Sequence, residues 1–153
     1  MALTLTSPAF TEGEMIPKKH TCDGSNLSPA LAWDGIPPET KSIALICDDP
    51  DSPGGTWVHW VLFNLQAAAS GLPEGVPGQR TLAHGGHQGM NDFQKIGYGG
   101  PCPPRGTPHR YFFKVYALGS VLKLEPAATK AQLVKAMKGL VLAEGRLVGL
   151  YRR

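Results

Sequence analysis

No apolar run in the 153 residues approaches the length of a membrane span. The opening residues, "MALTLTSPAF", carry no charged n-region and no apolar core of the length a secretory leader needs. Stable membrane insertion and export are therefore not expected. Basic residues are scattered, the net charge is only +3, and no long basic run is interleaved with aromatics, so nucleic acid is set aside as a partner. Cysteine is scarce. Cys22, Cys47 and Cys102 are odd in number and widely spaced, which reads as free thiols in a reducing compartment, with Cys102 a small buried thiol. The expected location is the cytoplasm. There is no His-x-His, HExxH or CxxC spacing, so no metal site and no cofactor is assigned. No G-x-S-x-G elbow surrounds Ser52, which stands beside a group of acids.

Glycine (19) and proline (14) are plentiful and without a period, so turns are many and the chain is expected to be mainly β. One domain spanning residues 1–153 can bury a core of its own. "LTLTSPAF" reads as a first strand ending near Pro8, and Leu31 with Trp33 anchors a short one. "SIALICDD" is a β-branched run ending at Asp48 or Asp49. In "TWVHWVLFNL" strict alternation sets Trp57, His59, Val61 and Phe63 on one face, with Val58, Trp60 and Leu62 on the other. Residues 66–97 are Gly-rich and irregular. "HRYFFKVYAL" resumes as a strand with His109 and Tyr111 on one face. In "TKAQLVKAMKGLVLAEG" the period changes. Leu133, Val134, Met137, Leu140 and Val141 form a helical stripe over about 129–144, Thr129 and Gln132 form a capping box, and Gly145 is the expected stop. "RLVGLYRR" closes the chain as a strand. The expected architecture is an antiparallel β-sandwich-like fold, a large sheet and a smaller one, with a late helix packed outside.

Two clusters carry the chemistry. "CDDPDSPGGTWVHW" (residues 47–60) fixes Asp49 and Asp51 around prolines and feeds a strand bearing Trp57 and His59. "GYGGPCPPRGTPHRYFF" (residues 97–113) offers bare backbone N–H groups near Gly99 and Gly100, then His109 and Tyr111. If the two strands are neighbours, Asp49, His59, His109 and Tyr111 converge on a small anion site, with Trp57 as an apolar wall. In that site Asp49 is expected to orient His59. A cis Ser52–Pro53 bond is expected to help aim the acids. The ordinary reading of each cluster is a tight turn whose Asp side chains bond backbone N–H groups, and Asp48 and Asp51 fit it best. His84 and His87 read as surface residues.

"DDPDSPGGTWVHWVLFN" and "YGGPCPPRGTPHRYFFKVYAL" resemble the two signature regions of the phosphatidylethanolamine-binding protein family, also called the Raf kinase inhibitor protein family. The match is closest to its short bacterial branch, and "TCDGSNLSPALAWDGIPPETKSIAL" extends it over most of the chain. The resemblance implies a large antiparallel sheet with a smaller second one, and a pocket for phosphate-like head groups. It places that pocket on Asp49, Asp51, Pro53, Trp57, His59, Pro103, Pro104, His109 and Tyr111, with a backbone donor at Gly100 or a neighbour. The chain stops soon after "LVGLYRR", short of the terminal helical region of animal members, so Tyr151 is not equated with the tyrosine found there. It also implies a homodimer, which the apolar "RLVGLY" tail would support, the alternative being an ordinary strand.

Three functions are weighed. The first is a non-enzymatic module that binds small anionic or phosphorylated ligands and modulates a partner kinase or protease. The second is a hydrolase using a His/Asp pair as general base. The third is a protein inhibitor acting through an exposed loop at 84–93.

Overall fold

The computed structural model describes residues 2–83 and 85–153, so the expectation for His84 lies outside the described residues. The strands are β1 (Thr4–Thr6), β2 (Leu31–Asp34), β3 (Ser42–Asp49), β4 (Trp57–Gln66), β5 (Gly71–Leu72), β6 (His87–Gln88), β7 (His109–Leu118) and β8 (Val141–Tyr151). One α-helix, α1 (Lys130–Met137), lies between β7 and β8. Antiparallel pairing gives a five-stranded sheet in the order β6-β4-β3-β7-β8 and a three-stranded sheet in the order β1-β2-β5. The mainly β architecture with two antiparallel sheets is the one expected. No helix among the described residues is long and apolar enough to cross a membrane.

The large sheet is covered on both faces, which explains why all eight residues of β3 are buried. One face meets the small sheet. Leu5, Leu31, Trp33 and Leu72 pack there with Ile43, Leu45, Cys47, Trp60, Leu62, Phe113 and Val115. The other face carries Ala44, Ile46, Val58, Val61 and Phe63 against Leu133 and Met137 of α1. A strand buried on both sides has no polar face to reveal its period, and β3 reads accordingly as a continuous apolar run.

Strict alternation fails in β4. Cys47 pairs with Trp60 and Asp48 pairs with Val58, so His59 is an extra residue in a β-bulge. The bulge corrects the expected faces. His59 and Trp60 both turn toward the small-sheet side, while Val58, Val61 and Phe63 pack toward the helix. Without it, one of the two large aromatic rings would point away from its layer.

The helix is shorter than its sequence stripe. Thr129 caps it, accepting from the Gln132 N–H at 3.2 Å, and Gln132 Oε1 accepts from the Thr129 N–H at 2.9 Å. It ends at Met137 because Gly139 takes a positive φ of 79°, a left-handed geometry that halts a helix. Gly145, the expected stop, lies inside β8. Val141 belongs to that strand and is 42% exposed, and Val134 is 47% exposed, so Leu133 and Met137 carry the docking. The tail reads as an ordinary strand: all of "RLVGLY" pairs with β7, and Leu147 and Tyr151 are buried.

Met137→Asp places an unpaired charge in the helix-side core. It is expected to cost on the order of 3 kcal/mol in urea denaturation. An unchanged midpoint would show that α1 is not docked through Met137.

Candidate functional site

The C-terminal end of β3, the turn at 50–56, the start of β4, the loop at 91–104 and the start of β7 meet around a cavity of about 220 Å³. Eight of the ten sequence-named residues line it: Asp49, Pro53, Trp57, His59, Pro103, Pro104, His109 and Tyr111. Ser52, Phe93 and Cys102 complete the wall. Asp51 and Gly100 do not line it. The Gly100 N–H donates to Asn26 Oδ1 at 2.9 Å, which commits the proposed backbone donor elsewhere.

His59 is held by the loop. Its Nδ1–H donates to the Gly99 carbonyl at 2.6 Å, and the Gly99 N–H donates back to the His59 carbonyl at 2.9 Å. A carbonyl only accepts, so Nδ1 carries the proton and Nε2 is the nitrogen left for a ligand. A Cβ on Gly99 would sit 2.4 Å from the Phe93 ring, so only glycine fits there. Phe93 in turn packs edge-on against His59 at 5.4 Å and against Trp57 at 5.5 Å. Burial pushes the His59 pKa below the usual histidine value, only partly opposed by the Gly99 carbonyl and by Asp49.

Asp49 does not orient His59, as the sequence suggested. Its Oδ2 accepts from His109 Nδ1–H at 2.7 Å, and its Oδ1 accepts from the Asp51 N–H at 2.7 Å. That second bond is an Asx-turn, which aims the carboxylate from its own strand end. Every peptide bond among the described residues is trans, which corrects the cis expectation at Ser52–Pro53. The turn instead closes on the Ser52 carbonyl, which accepts from Gly54 and Gly55 N–H at 3.2 and 3.1 Å. Asp51, placed in the pocket by the family resemblance and read as a turn residue from its surroundings, takes the second role. It accepts from the Arg110 backbone N–H and forms a two-pronged pair with the Arg110 guanidinium, which brings its pKa down to about 2.

Tyr111 is 1% exposed, and its hydroxyl has no hydrogen-bond partner among the described residues. Burial first, and then the charge and nearness of the Asp49 carboxylate, raise its pKa; the hydroxyl makes no hydrogen bond of proper geometry to that carboxylate, so the phenol keeps its proton and remains a donor. The His59 ring stands edge-on to it at 5.2 Å. The site therefore combines one unused O–H donor, two imidazoles whose Nδ1 atoms are committed, and a carboxylate already engaged twice.

Two residues of the cysteine trio depart from expectation. Cys22 and Cys102 form a disulfide across 80 residues of sequence, and both are exposed; only Cys47 is a free, buried thiol. The compartment argument drawn from three free thiols falls with this pairing. Spacing could not disclose it, because the two cysteines meet only through the fold. Phe93 was also missed, although an aromatic inside a Gly-rich irregular loop is a signal that something is packed there. The 85–93 segment is not an exposed loop: Gly86, Gln88, Gly89 and Asn91 are buried. Gln88 accepts from Trp60 Nε1–H at 2.8 Å. Among the described residues no group of three or more His, Cys, Asp or Glu is arranged to hold a metal.

The sequence model described as "Phosphatidylethanolamine-binding protein" matches residues 6–152. A UPF0098 protein of Methanothermobacter thermautotrophicus is 54% identical over 151 residues, covering 99% of each chain. The crystal structure of CT736 from Chlamydia trachomatis, described as a homolog of the same family, is 43% identical. It superposes with a TM-score of 0.90 over 99% of this chain and 98% of that one. Escherichia coli YbcL, described as a new member of the mammalian family, is 34% identical with a TM-score of 0.91, covering 100% and 99%. The chain belongs to the phosphatidylethanolamine-binding protein family.

The depressed His59 pKa has a stability consequence. The unfolded chain binds a proton at His59 below about pH 6.5 while the folded chain resists it, so folding stability falls as pH drops through that value. In phosphate-free buffer, wild type is expected to lose more urea stability between pH 7.5 and 5.5 than His59→Gln. Equal losses would contradict the buried neutral imidazole.

Proposed function

We propose that the chain is a non-enzymatic binding protein whose cavity takes a small anion, a phosphate or a phosphorylated group. The observation that carries this reading is the Tyr111 hydroxyl, a buried donor without a partner in the wall of a cavity shared with two imidazoles. A buried polar group left unpaired is costly, and a bound acceptor removes that cost. The Asp49 carboxylate would repel an anion if it were free. Its two accepted hydrogen bonds hold its oxygens against His109 and the turn and moderate that repulsion. An anion near His59 Nε2 favours the protonated ring, which then donates. Proton uptake thus opposes desolvation, and affinity rises as pH falls. A phosphorylated side chain of a partner kinase or protease has the same chemistry as the free anion.

A hydrolase is the second reading, and one observation favours it. Ser52 lines the same cavity as the Asp49–His109 pair, the order of groups that general-base activation of a hydroxyl requires. The two readings part on turnover. Release of p-nitrophenol from p-nitrophenyl phosphate or acetate, lost in Asp49→Asn and Ser52→Ala, would favour the enzyme.

Dimethyl phosphate keeps one negative charge over the neutral range and is the cleaner probe. Calorimetric titration from pH 5.5 to 8.5 is expected to show affinity decreasing with pH. Tyr111→Phe is expected to weaken binding by about tenfold or more, the loss of a hydrogen bond to a charged oxygen. Equal affinity at every pH and in both proteins would remove the assignment of the cavity.

A further inference from the structure

We propose that the Cys22–Cys102 disulfide is a redox latch on this cavity: a thiol reductant opens it, and the opened form holds anions more weakly. The inference rests on the anion-binding reading and adds a control to it.

Position is the first ground. Cys102 is one of the residues lining the cavity, so the bond is part of the wall and not a distant staple. It ties the 20–26 segment to the loop at 98–104, the loop whose Gly99 carbonyl holds His59. The same two segments are also joined by hydrogen bonds. Tyr98 O–H donates to the His20 carbonyl at 2.6 Å, Gly100 N–H to Asn26 Oδ1 at 2.9 Å, and Cys22 N–H to the Pro101 carbonyl at 3.1 Å. Neither cysteine belongs to the two hydrophobic clusters of the core. Opening the bond therefore leaves the segments docked at 98–101 and releases the wall from Cys102 onward.

Access and leaving-group chemistry are the second ground. Both sulfur-bearing residues are exposed, whereas Cys47 is 1% exposed and cannot exchange with them. Arg153 Nη1–H points at Cys102 Sγ from 3.6 Å, which favours a thiolate there. The Cys22 side carries Asp23 as its next residue, an acid that accepts from Tyr151 O–H at 2.5 Å and pairs with Arg153 Nε at 3.3 Å. An incoming thiolate therefore attacks Cys22. A new S–S bond forms to Cys22, and the electron pair of the old bond leaves on Cys102 as thiolate. A second reductant thiol attacks the mixed disulfide at the reductant sulfur. The oxidised reductant departs as its own disulfide, and Cys22 takes up the proton. Two thiols supply two electrons, and the protein gains two thiols.

The product explains the direction. A thiolate in the cavity wall adds negative charge to a site that already holds Asp49, and the freed wall no longer fixes Pro103 and Pro104. Both changes weaken a bound anion.

The test titrates inorganic phosphate by calorimetry into oxidised protein and into protein reduced with dithiothreitol and then desalted without air. A thiol assay on the folded protein is expected to find two new reactive thiols. A thermal melt is expected to remain cooperative. Phosphate affinity is expected to fall by about fivefold or more on reduction and to return on reoxidation, a coupling of ordinary size. The Cys22→Ser/Cys102→Ser variant, which frees the wall without adding a thiolate, is expected to bind more weakly than the oxidised protein and at an affinity that dithiothreitol does not change. Equal affinity in the two redox states overturns the latch. So does loss of the cooperative melt on reduction, which would make the bond a structural staple, and so does a bond that dithiothreitol cannot open in the folded protein. Absence of phosphate binding in the oxidised protein removes the anion reading itself.

Discussion

The reciprocal pair between His59 and Gly99 is the constraint on which the site depends. One bond runs from the imidazole to the loop and the other from the loop backbone to the strand, at 2.6 and 2.9 Å. Together they fix a bulged strand residue to an irregular loop forty positions away. The bulge is needed because His59 and Trp60 must both face the small-sheet side of the large sheet. The glycine is needed because Phe93 fills the space a side chain would take. Phe93 then closes the cavity beside Trp57. The tautomer of a buried histidine follows from one carbonyl.

The same logic sets the charge balance. A carboxylate, two imidazoles and a phenol share a small space, and their polarity depends on which atoms are already used. Asp49 is tied to its own turn and to His109, so its oxygens are engaged. Asp51 is drawn away to Arg110 on the outer face of β7. What remains for a ligand is the Tyr111 O–H and two ring nitrogens that become donors only on protonation. On the proposed reading, such a site suits species that draw protons to it, as anions do.

Much of this was legible in the sequence for an identifiable reason. The strands β3, β4 and β7 are long and rich in β-branched and aromatic residues, so their existence and order could be read directly. The residues lining the cavity sit at strand ends beside Asp, Pro and Gly turns, where composition is distinctive. The partners of those residues were less legible. Pairing of Asp49 with His59 rather than with His109 follows from sequence nearness, yet β3 lies between β4 and β7, and either neighbour was open to it. The β4 faces were misassigned because a bulge leaves no mark in an apolar run. The helix end was misplaced because Leu140 and Val141 keep a helical spacing that Gly139, with its positive φ, interrupts. The disulfide was hidden because its cysteines lie 80 residues apart and spacing alone does not pair them.

Nitrogen-15 NMR of the imidazole rings measures the central claim at the atoms concerned. At pH 7.5 in phosphate-free buffer, His59 is expected to show a protonated Nδ1 and a bare Nε2. Added phosphate is expected to move the Nε2 resonance toward the protonated, donor form while Nδ1 keeps its proton. An Nε2–H tautomer in the free protein, or a ring that does not respond to phosphate, would contradict the account of the cavity as an anion site built on the His59–Gly99 bond.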